Sequence, residues 1–231
     1  MAAIDPNKRR VTPPRQERSR ATFERILDAL EELLRTRRFE DITVRELVER
    51  SGTSTGSFYA RFPTRETLLP ALYDRYDADV HRRARATELE SVEEETLEAL
   101  VAAMMRRIVD RMFDRRWLTR AVALHARLHP EMIPAEQRRR RLALHARWRN
   151  ELLRHRELIS HPDPESAVAF GLFMTVTALR EKIVFADAPH ASSFELTRAQ
   201  LAEEATRALL AYLGVDSTAP SNPGTRRDEE A

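Results

Sequence analysis

The chain contains no cysteine, which excludes a disulfide framework, a cysteine-ligated zinc site and a thiol nucleophile. It has only five glycines, and no Gly-x-Gly-x-x-Gly or P-loop pattern can be built from them. The opening residues, MAAIDPNKRR, lack the apolar run of a signal peptide. The longest uncharged, mostly apolar stretch is 166–179, shorter than the ~20 residues of a membrane-spanning helix. We therefore expect a cytoplasmic protein with no membrane contact and no resident cofactor.

Lysine is nearly absent, because 37 of the 39 basic side chains are arginine. The formal net charge is only +2 and the sequence pI is about 9.3. Such a preference can reflect genome composition, so the arginine content alone is weak support for nucleic-acid binding. The 42% hydrophobic content is sufficient for a sizeable core, and the 33% charged content predicts helix faces in water.

The apolar residues recur with helical spacing over most of the chain, as in the series that begins at Phe23, Ile26 and Leu27. No segment is a convincing strand, so we predict an all-α protein of about nine helices. Composition sets apart a flexible basic arm (1–18) and a disordered tail (215–231), and we divide the helical part between them into 19–66, with three helices, and a larger segment, 67–214.

The segment 41–69, DITVRELVERSGTSTGSFYARFPTRETLL, predicts two short helices joined by a turn that contains glycine. Thr43 and Glu46 have the spacing of a capping box for the first of them, and Ser54 can cap the second. Leu47 and Phe58 would pack the two helices together. This arrangement is a helix-turn-helix.

Packing the pair leaves one face of the second helix exposed, and that face is small and polar at its N-terminal end, as a helix in the DNA major groove requires. Gly56 would allow a close approach to DNA. The candidate base and phosphate contacts are Thr43, Arg45, Ser54, Thr55, Gly56, Ser57, Tyr59, Arg61 and Arg65.

Those residues resemble the tetracycline-repressor-like (TetR) family of transcription regulators. The resemblance rests on T-V-R-E-L at 43–47, S-G-T-S-T-G-S-F-Y at 51–59, Phe62 and R-E-T-L-L at 65–69. It implies a helix-turn-helix DNA-binding domain over 19–66 and a ligand-binding and dimerisation domain over 67–214. It also implies that Arg45 and residues 54–57 meet bases or nearby backbone, and that Thr43, Tyr59 and Arg65 hold phosphates. The chain departs from the family pattern at Thr53, Ala60 and Arg65, where an apolar residue, a larger side chain and lysine are usual.

The stretch 166–179 is apolar nearly all round its helix, which predicts burial on every side. The resemblance implies that the last two long helices pair with their copies in a homodimer, whereas a central core helix of a monomer is the alternative. The predicted interface residues are Val168, Gly171, Leu172, Thr175, Leu179, Leu201, Ala205, Leu209 and Tyr212.

Methionine and aromatic side chains make adaptable pocket walls, although plain core packing explains each of them equally well. The candidate effector contacts are Met104, Met105, Ile108, Met112, Phe113, Trp117, His125, Trp148, Phe170, Phe173 and Met174. His125 and His129 have the i, i+4 spacing of a metal-binding pair, but no third ligand is assured, and we expect no metal.

Residues 138–156 carry eight arginines against Glu151. A solvated helix face is the usual explanation of such a run. The alternatives are a mouth for an anionic effector, such as an acyl thioester of a nucleotide cofactor, and a second patch for DNA.

Taken together, the sequence favours a homodimeric regulator, most simply a repressor that a small-molecule effector releases from a palindromic operator in double-stranded DNA. An activator with the same domain, and a helical small-molecule-binding protein without DNA binding, are the alternatives. We expect no enzymatic activity, because no set of nucleophile and base stands out.

Overall fold

The structure is a computed structural model that describes residues 17–76, 78, 96–130 and 135–215. These residues form α-helices, short 3₁₀ turns and connecting loops, and none of them lies in a strand. This confirms the predicted all-α class. Within the same residues, no helix is both long and apolar enough to cross a bilayer.

Nine helices follow one another along the described chain. Their bounds are α1 Glu17–Leu34, α2 Val44–Ser51, α3 Thr55–Tyr59, α4 68–76, α5 Leu97–Asp114, α6 Arg116–Leu128, α7 Ala135–Leu153, α8 Pro164–Val184 and α9 Arg198–Leu213. The 3₁₀ turns are Phe39–Asp41, Arg65–Thr67 and Arg156–Leu158.

The described residues fall into two compact units. The first is drawn from 1–93, 110–147 and 180–195, and the second from 94–109, 148–179 and 196–231. The predicted domain division at residues 66 and 67 stays a prediction. Of the predicted basic arm, Glu17 and Arg18 belong to α1, whereas residues 1–16 and tail residues 216–231 lie outside the described part.

The core of the first unit joins the N-terminal helices to α6. Phe23 of α1 stacks on Phe62 with ring centroids 4.9 Å apart, and Phe62 also contacts Phe58 of α3 at 5.7 Å. Leu118 and Val122 of α6 lie in the same buried cluster. Burying apolar area of this kind is the main stabilising term of a small helical domain, so α6 helps to hold the N-terminal helices in place.

A charged network ties α4 to α1 in the same unit. Arg75 pairs with Asp28 at 2.6 Å, with Glu31 at 2.6 Å and with Glu24 at 3.3 Å. Glu31 also accepts a hydrogen bond from Arg115 at 2.5 Å. Arg75 lies far along the chain from the three carboxylates of α1, so sequence spacing alone does not predict this network.

In the second unit, α8 packs closely on α9. A Cβ at Gly171 would lie 2.7 Å from Cδ1 of Leu209 and 3.1 Å from Cδ1 of Tyr212, so a larger residue there would require the Leu209 side chain to shift. The amide of His161 donates to the carbonyl oxygen of Leu213 at 3.3 Å. Gly214 ends α9 in the left-handed conformation at φ 68°, as its place after the last apolar residue predicts.

Local capping decides where two helices begin. Helix α9 begins at Arg198, because Thr197 and Gln200 form a capping box there. Thr64 precedes a 3₁₀ turn, Arg65–Thr67, without a side-chain cap to it, and α4 starts only after that turn.

Candidate nucleic-acid interface

The N-terminus of α2 is fixed by a complete capping box. The hydroxyl of Thr43 accepts from the amide of Glu46 at 3.2 Å, and the Glu46 carboxylate accepts from the amide of Thr43 at 2.9 Å and from its hydroxyl at 2.8 Å. The hydrogen bond from the Thr43 amide, followed by one from Arg37, lowers the pKa of Glu46 from 4.5 to about 2. The predicted capping box is therefore present, and Thr43 stays exposed at the helix end.

The turn between α2 and α3 depends on Gly52. Its φ of 60° lies in the left-handed region, which a side chain disfavours. The hydroxyl of buried Ser51 hydrogen-bonds the hydroxyl of Thr53 at 2.8 Å. Threonine at 53, a departure from the family pattern, thus supplies a second partner for the buried hydroxyl of Ser51, which also donates to the carbonyl oxygen of Val48 at 3.3 Å.

Helix α3 is short, and its two sides differ sharply. Ser54 caps it by accepting from the amide of Ser57 at 3.1 Å. Phe58 is fully buried, whereas Ser54, Thr55 and Gly56 are exposed. The buried ring fixes which way the helix faces, and the outward side offers only small, polar or absent side chains.

Nothing in the described part of the chain requires glycine at position 56. A Cβ built on Gly56 meets no described atom within 4 Å, and its φ is not in the left-handed region. Alanine would therefore fit and favour the helix by roughly 0.5–1 kcal/mol. The described residues thus supply no structural reason for glycine here.

Tyr59 is 52% exposed and lies edge-on against Phe58, with ring centroids 5.3 Å apart. The contact with Phe58 holds the Tyr59 ring in place, and about half of the side chain remains accessible to solvent. Arg45, in the first turn of α2, is also exposed, and no described residue pairs with its guanidinium. Both side chains are available to an external partner.

Two of the predicted phosphate and base contacts are instead engaged within the protein. Arg61 donates to the carbonyl oxygens of Ser57 at 2.8 Å and Ser19 at 3.2 Å, so it ties the end of α3 to the start of α1. Arg65 donates to the carbonyl oxygens of Glu40 at 3.0 Å and Ile42 at 2.9 Å. Neither guanidinium is the freely exposed cation that the sequence suggested.

Arg37 is a supporting residue that the sequence did not single out. It donates to the Glu46 carboxylate and to the carbonyl oxygen of Asp41, bracing the turn that leads into α2. Arg50 of α2 pairs with Glu32 of α1, with a 2.8 Å hydrogen bond from its Nε. That hydrogen bond lowers the pKa of Glu32. Separations of 9 and 18 residues give no local signal of either contact.

The predicted effector contacts differ in their exposure. Met104, Met105 and Ile108 are buried, whereas Phe170, Phe173 and Met174 are exposed on α8. The remaining candidates are half-buried, namely Met112, Phe113, Trp117, His125 and Trp148. A cleft of 370 Å³ in the second unit is lined by none of these residues.

His125 packs against the first 3₁₀ turn, with its ring 6.0 Å from Phe39 and 4.7 Å from His129. Burial, and secondarily the neighbouring His129, lowers the pKa of His125. Within the described residues, no group of three or more metal-ligating side chains comes together. Glu131, which the sequence placed near this pair, lies outside them.

The predicted dimer-interface set is mostly covered within the single chain. Tyr212 is half-buried, and the rest of that set is buried: Val168, Gly171, Leu172, Thr175, Leu179, Leu201, Ala205 and Leu209. Burial within one chain leaves these side chains little surface to offer a second copy, and their place in a dimer interface stays a prediction. The accessible apolar side of α8 instead carries Phe170, Phe173 and Met174, so burial of the helix on every side is wrong for one chain.

The arginine run forms the exposed sides of α7. Arg139 and Arg140 pair with Glu136, and Arg154 pairs with Glu151 at 3.2 Å. Leu142, between them, is 69% exposed. These contacts fit a solvated helix face, the simplest of the three explanations.

Comparison with known proteins gives the N-terminal segment a family. Residues 26–72 match the family described as "Bacterial regulatory proteins, tetR family". The fold of the chain is similar to a crystal structure from Mesorhizobium loti MAFF303099 assigned to the TetR family of transcriptional regulators, with a TM-score of 0.64, 21% identity, and coverage of 87% of this chain and 98% of that one.

A TetR transcriptional regulator from Rhodococcus sp. RHA1 matches with a TM-score of 0.45 and 17% identity, over 87% of this chain and 100% of that one. No curated protein matches the chain. At 21% identity the Mesorhizobium loti structure shows the fold alone, and the similarity to the family is confined to residues 26–72.

Proposed function

We propose that the protein binds a palindromic operator as a homodimer and represses transcription until an effector releases it. The proposal starts from the match of residues 26–72 to the family described as "Bacterial regulatory proteins, tetR family". The finer parts of this proposal, namely the operator, the sign of regulation and the effector, follow from the chemistry of the described surfaces.

The outward face of α3 is the observation that carries the proposal. Buried Phe58 turns that face to solvent, and Ser54, Thr55 and Gly56 leave its N-terminal half without bulk. A helix in the major groove needs small polar side chains that can reach base edges. At Gly56 the missing side chain has no function inside the protein, whereas it would let the helix backbone approach DNA closely.

The flanks of α3 offer phosphate contacts on both sides. Thr43 is exposed at the N-terminus of α2, where free amides and the helix dipole favour an anion. Tyr59 offers a hydroxyl from an exposed ring that Phe58 holds in place. Arg45 adds a cation with no partner in the described chain. Arg61 and Arg65 would act indirectly, because their hydrogen bonds to backbone carbonyls position the C-terminal end of α3 and the turn that precedes α2.

The exposed apolar side of α8 supports a dimer. Phe170 and Phe173 are 50% and 64% exposed, and their ring centroids are 6.2 Å apart. Contiguous exposed aromatic side chains mark an interaction surface more often than a solvent face. A second copy would cover them with an identical surface, and the resulting twofold symmetry suits an operator with two half-sites about one DNA turn (~34 Å) apart.

Effector binding and DNA binding would oppose each other through the distance between the α3 helices of the two subunits. A ligand that favours one spacing while the operator favours another weakens DNA binding, and the operator weakens ligand binding by the same factor, a coupling of about 1–3 kcal/mol. This is the basis on which we assign release by an effector.

Selection of bound duplexes from a random pool tests the proposal, followed by titration of the selected duplex at several salt concentrations. Tyr59→Phe and Arg45→Ala should weaken binding, and Ser57→Ala should also change the base preference. Arg149→Ala, a change at an exposed arginine of α7, is the matched control and should bind normally. A chain that enriches no duplex, and shows no salt-sensitive binding to any, would instead be a helical small-molecule-binding protein.

A further inference from the structure

The second unit contains a cleft between α5 and α9 that no function has yet been given. Its volume is 370 Å³, within the range of about 300–1,000 Å³ that small-molecule sites occupy. Ala102 and Arg106, one turn apart on α5, form one wall, and Val215 closes one end.

The walls of the cleft are aliphatic. Four alanines line it, and buried Ala202, Leu210 and Val215 form its apolar floor. No aromatic ring lies among the lining side chains, so a flat aromatic ligand has nothing to stack on. A flexible aliphatic chain can follow such a narrow surface and bury its methylene groups there, each contributing to binding in proportion to its area.

The polar groups of the cleft favour a carboxylate at one end of that chain. Arg106 is exposed at the rim of the cleft. None of the described residues forms a hydrogen bond or an ion pair with its guanidinium. Arg207 also lines the cleft, but Glu204 already holds it at 2.8 Å. Glu203 also lines the cleft and would repel additional negative charge, so the site suits a monocarboxylate held by Arg106 better than a polyanion.

The cleft lies on a different side of α9 from the contact with α8. Leu209 and Tyr212 approach Gly171 of α8, whereas Thr206 and Leu210 line the cleft. With about 100° per residue along an α-helix, these two sides of α9 are separated by roughly a quarter turn or more. Packing of α8 therefore leaves the cleft accessible.

We propose that the cleft between α5 and α9 binds a medium-chain aliphatic monocarboxylate, with the chain on the alanine-lined floor and the carboxylate on Arg106. Two hydrogen bonds from one guanidinium fork match the geometry of a carboxylate. The binding step requires only this unit, whereas a role for the ligand as effector rests on the proposed function.

Calorimetric titration of the full chain without DNA tests the binding step, with decanoate and decanol as probes below their aggregation concentrations. Decanoate should bind saturably with one site per chain, and decanol more weakly. Arg106→Gln should weaken decanoate binding about tenfold or more, as expected for loss of a charge-assisted contact, and leave decanol unchanged. Ala199→Trp, at an exposed lining position, should block both probes.

Two matched controls separate the cleft from general adsorption. Arg107→Gln removes the neighbouring exposed arginine of α5, and Ala146→Trp adds the same bulk to exposed α7; neither residue lines the cleft. Both should bind decanoate like the unaltered chain. The proposal is overturned if decanoate gives no saturable binding, if Ala199→Trp binds normally, or if Arg106→Gln and Arg107→Gln have equal effects.

The effect on DNA is measured separately, with the selected duplex and increasing decanoate. Release that Arg106→Gln prevents would identify the ligand class as the effector. Binding to the cleft without release would leave the site in place and contradict only its effector role. Failure to find any operator would contradict the proposed function and not the calorimetric result.

Discussion

The guanidinium of Arg65 lies over the ring of Phe39, 4.9 Å from its centroid. Phe39 is buried in the 3₁₀ turn that leads into α2, and the same guanidinium donates to two carbonyl oxygens of that turn. Arg65 therefore holds together the start of the α4 segment and the approach to Thr43. A cation in this position can affect DNA binding without touching DNA, because it fixes where the N-terminus of α2 points.

Replacing Arg65 by alanine should lower the free energy of unfolding by about 1–3 kcal/mol, since two carbonyl oxygens lose a charged donor. The free energy of unfolding of Arg65→Lys should lie between those of Arg65→Ala and the unaltered chain, because lysine keeps the charge but lacks the planar guanidinium fork. Both should weaken binding to every DNA sequence alike. Chemical denaturation gives the first quantity, and titration of duplex at several salt concentrations gives the second.

The salt slope of the Arg65 variants distinguishes positioning from direct contact. A phosphate contact that is lost reduces the slope by about 1, whereas loss of a positioning residue leaves the slope unchanged. We expect the unchanged slope. A reduced slope with normal stability would restore the direct phosphate contact that the family resemblance implied for this residue.

Gly56→Ala should separate folding from function. The added methyl group meets no atom of the chain, so the free energy of unfolding should stay the same or rise by up to about 1 kcal/mol. Operator affinity should nevertheless fall, because the methyl group lies on the face proposed to approach DNA. Thermal unfolding and a DNA titration on the same preparation measure both.

Gly52→Ala provides the opposite case for comparison with Gly56→Ala. Gly52 has a φ of 60°, so alanine there should destabilise the turn between α2 and α3 by roughly 1 kcal/mol. Its stability and its DNA affinity should fall together. Normal operator binding by folded Gly56→Ala would contradict the assigned orientation of α3.

The order of the helices could be predicted from apolar spacing, and the caps at Thr43 and Ser54 from local sequence. Both depend on residues only three or four positions apart, which a sequence displays directly. The long-range contacts of Arg61 and Arg65 could not be predicted, because three of their four backbone carbonyl acceptors lie 42, 25 and 23 residues away. The local sequence around an arginine next to α3 does not show whether its guanidinium binds a DNA phosphate or a carbonyl oxygen of the same chain.

The surfaces of α8 show the same limit. A sequence that is apolar on all sides of a helix predicts that all of these sides are covered. It does not show which side packs within the same chain and which packs against a second copy. Gly171 faces α9 of its own chain, whereas the resemblance had assigned it to the partner. Small residues allow close packing in both cases, so only the fold distinguishes them.

Acid should weaken the N-terminal cap of α2. The pKa of Glu46 is lowered from 4.5 to about 2 in the folded chain, so ionised Glu46 stabilises the folded state fully above pH 4.5. That contribution is lost progressively as the pH falls from about 4.5 to 2, because the unfolded chain takes up the proton first. Thermal unfolding between pH 6 and pH 2.5 should show this loss.

Glu46→Gln tests the acid prediction, because the amide oxygen can still accept from the Thr43 amide but does not titrate. Its stability at pH 6 should be lower than that of the unaltered chain, and its decline towards pH 2.5 shallower. Identical pH profiles for the two proteins would show that the capping box does not contribute to acid sensitivity.

Phe173 should decide whether the exposed side of α8 forms the dimer. Phe173→Glu places a charge on a side chain that is 64% exposed in the single chain, so the helices should still form. In a dimer the two glutamates would be buried against an apolar surface, which is strongly unfavourable. We expect a monomer by sedimentation, with helical circular dichroism retained at low temperature and a palindromic duplex bound far more weakly than by the unaltered chain.

Leu142→Glu is the control for Phe173→Glu, because Leu142 on α7 is 69% exposed and lies outside the proposed interface. It should leave the dimer and its DNA affinity intact. The melting temperature of Phe173→Glu should no longer rise with protein concentration, since subunit association stabilises the folded state only by mass action. A dimer that survives Phe173→Glu and dissociates with Leu142→Glu would move the interface from α8 to α7.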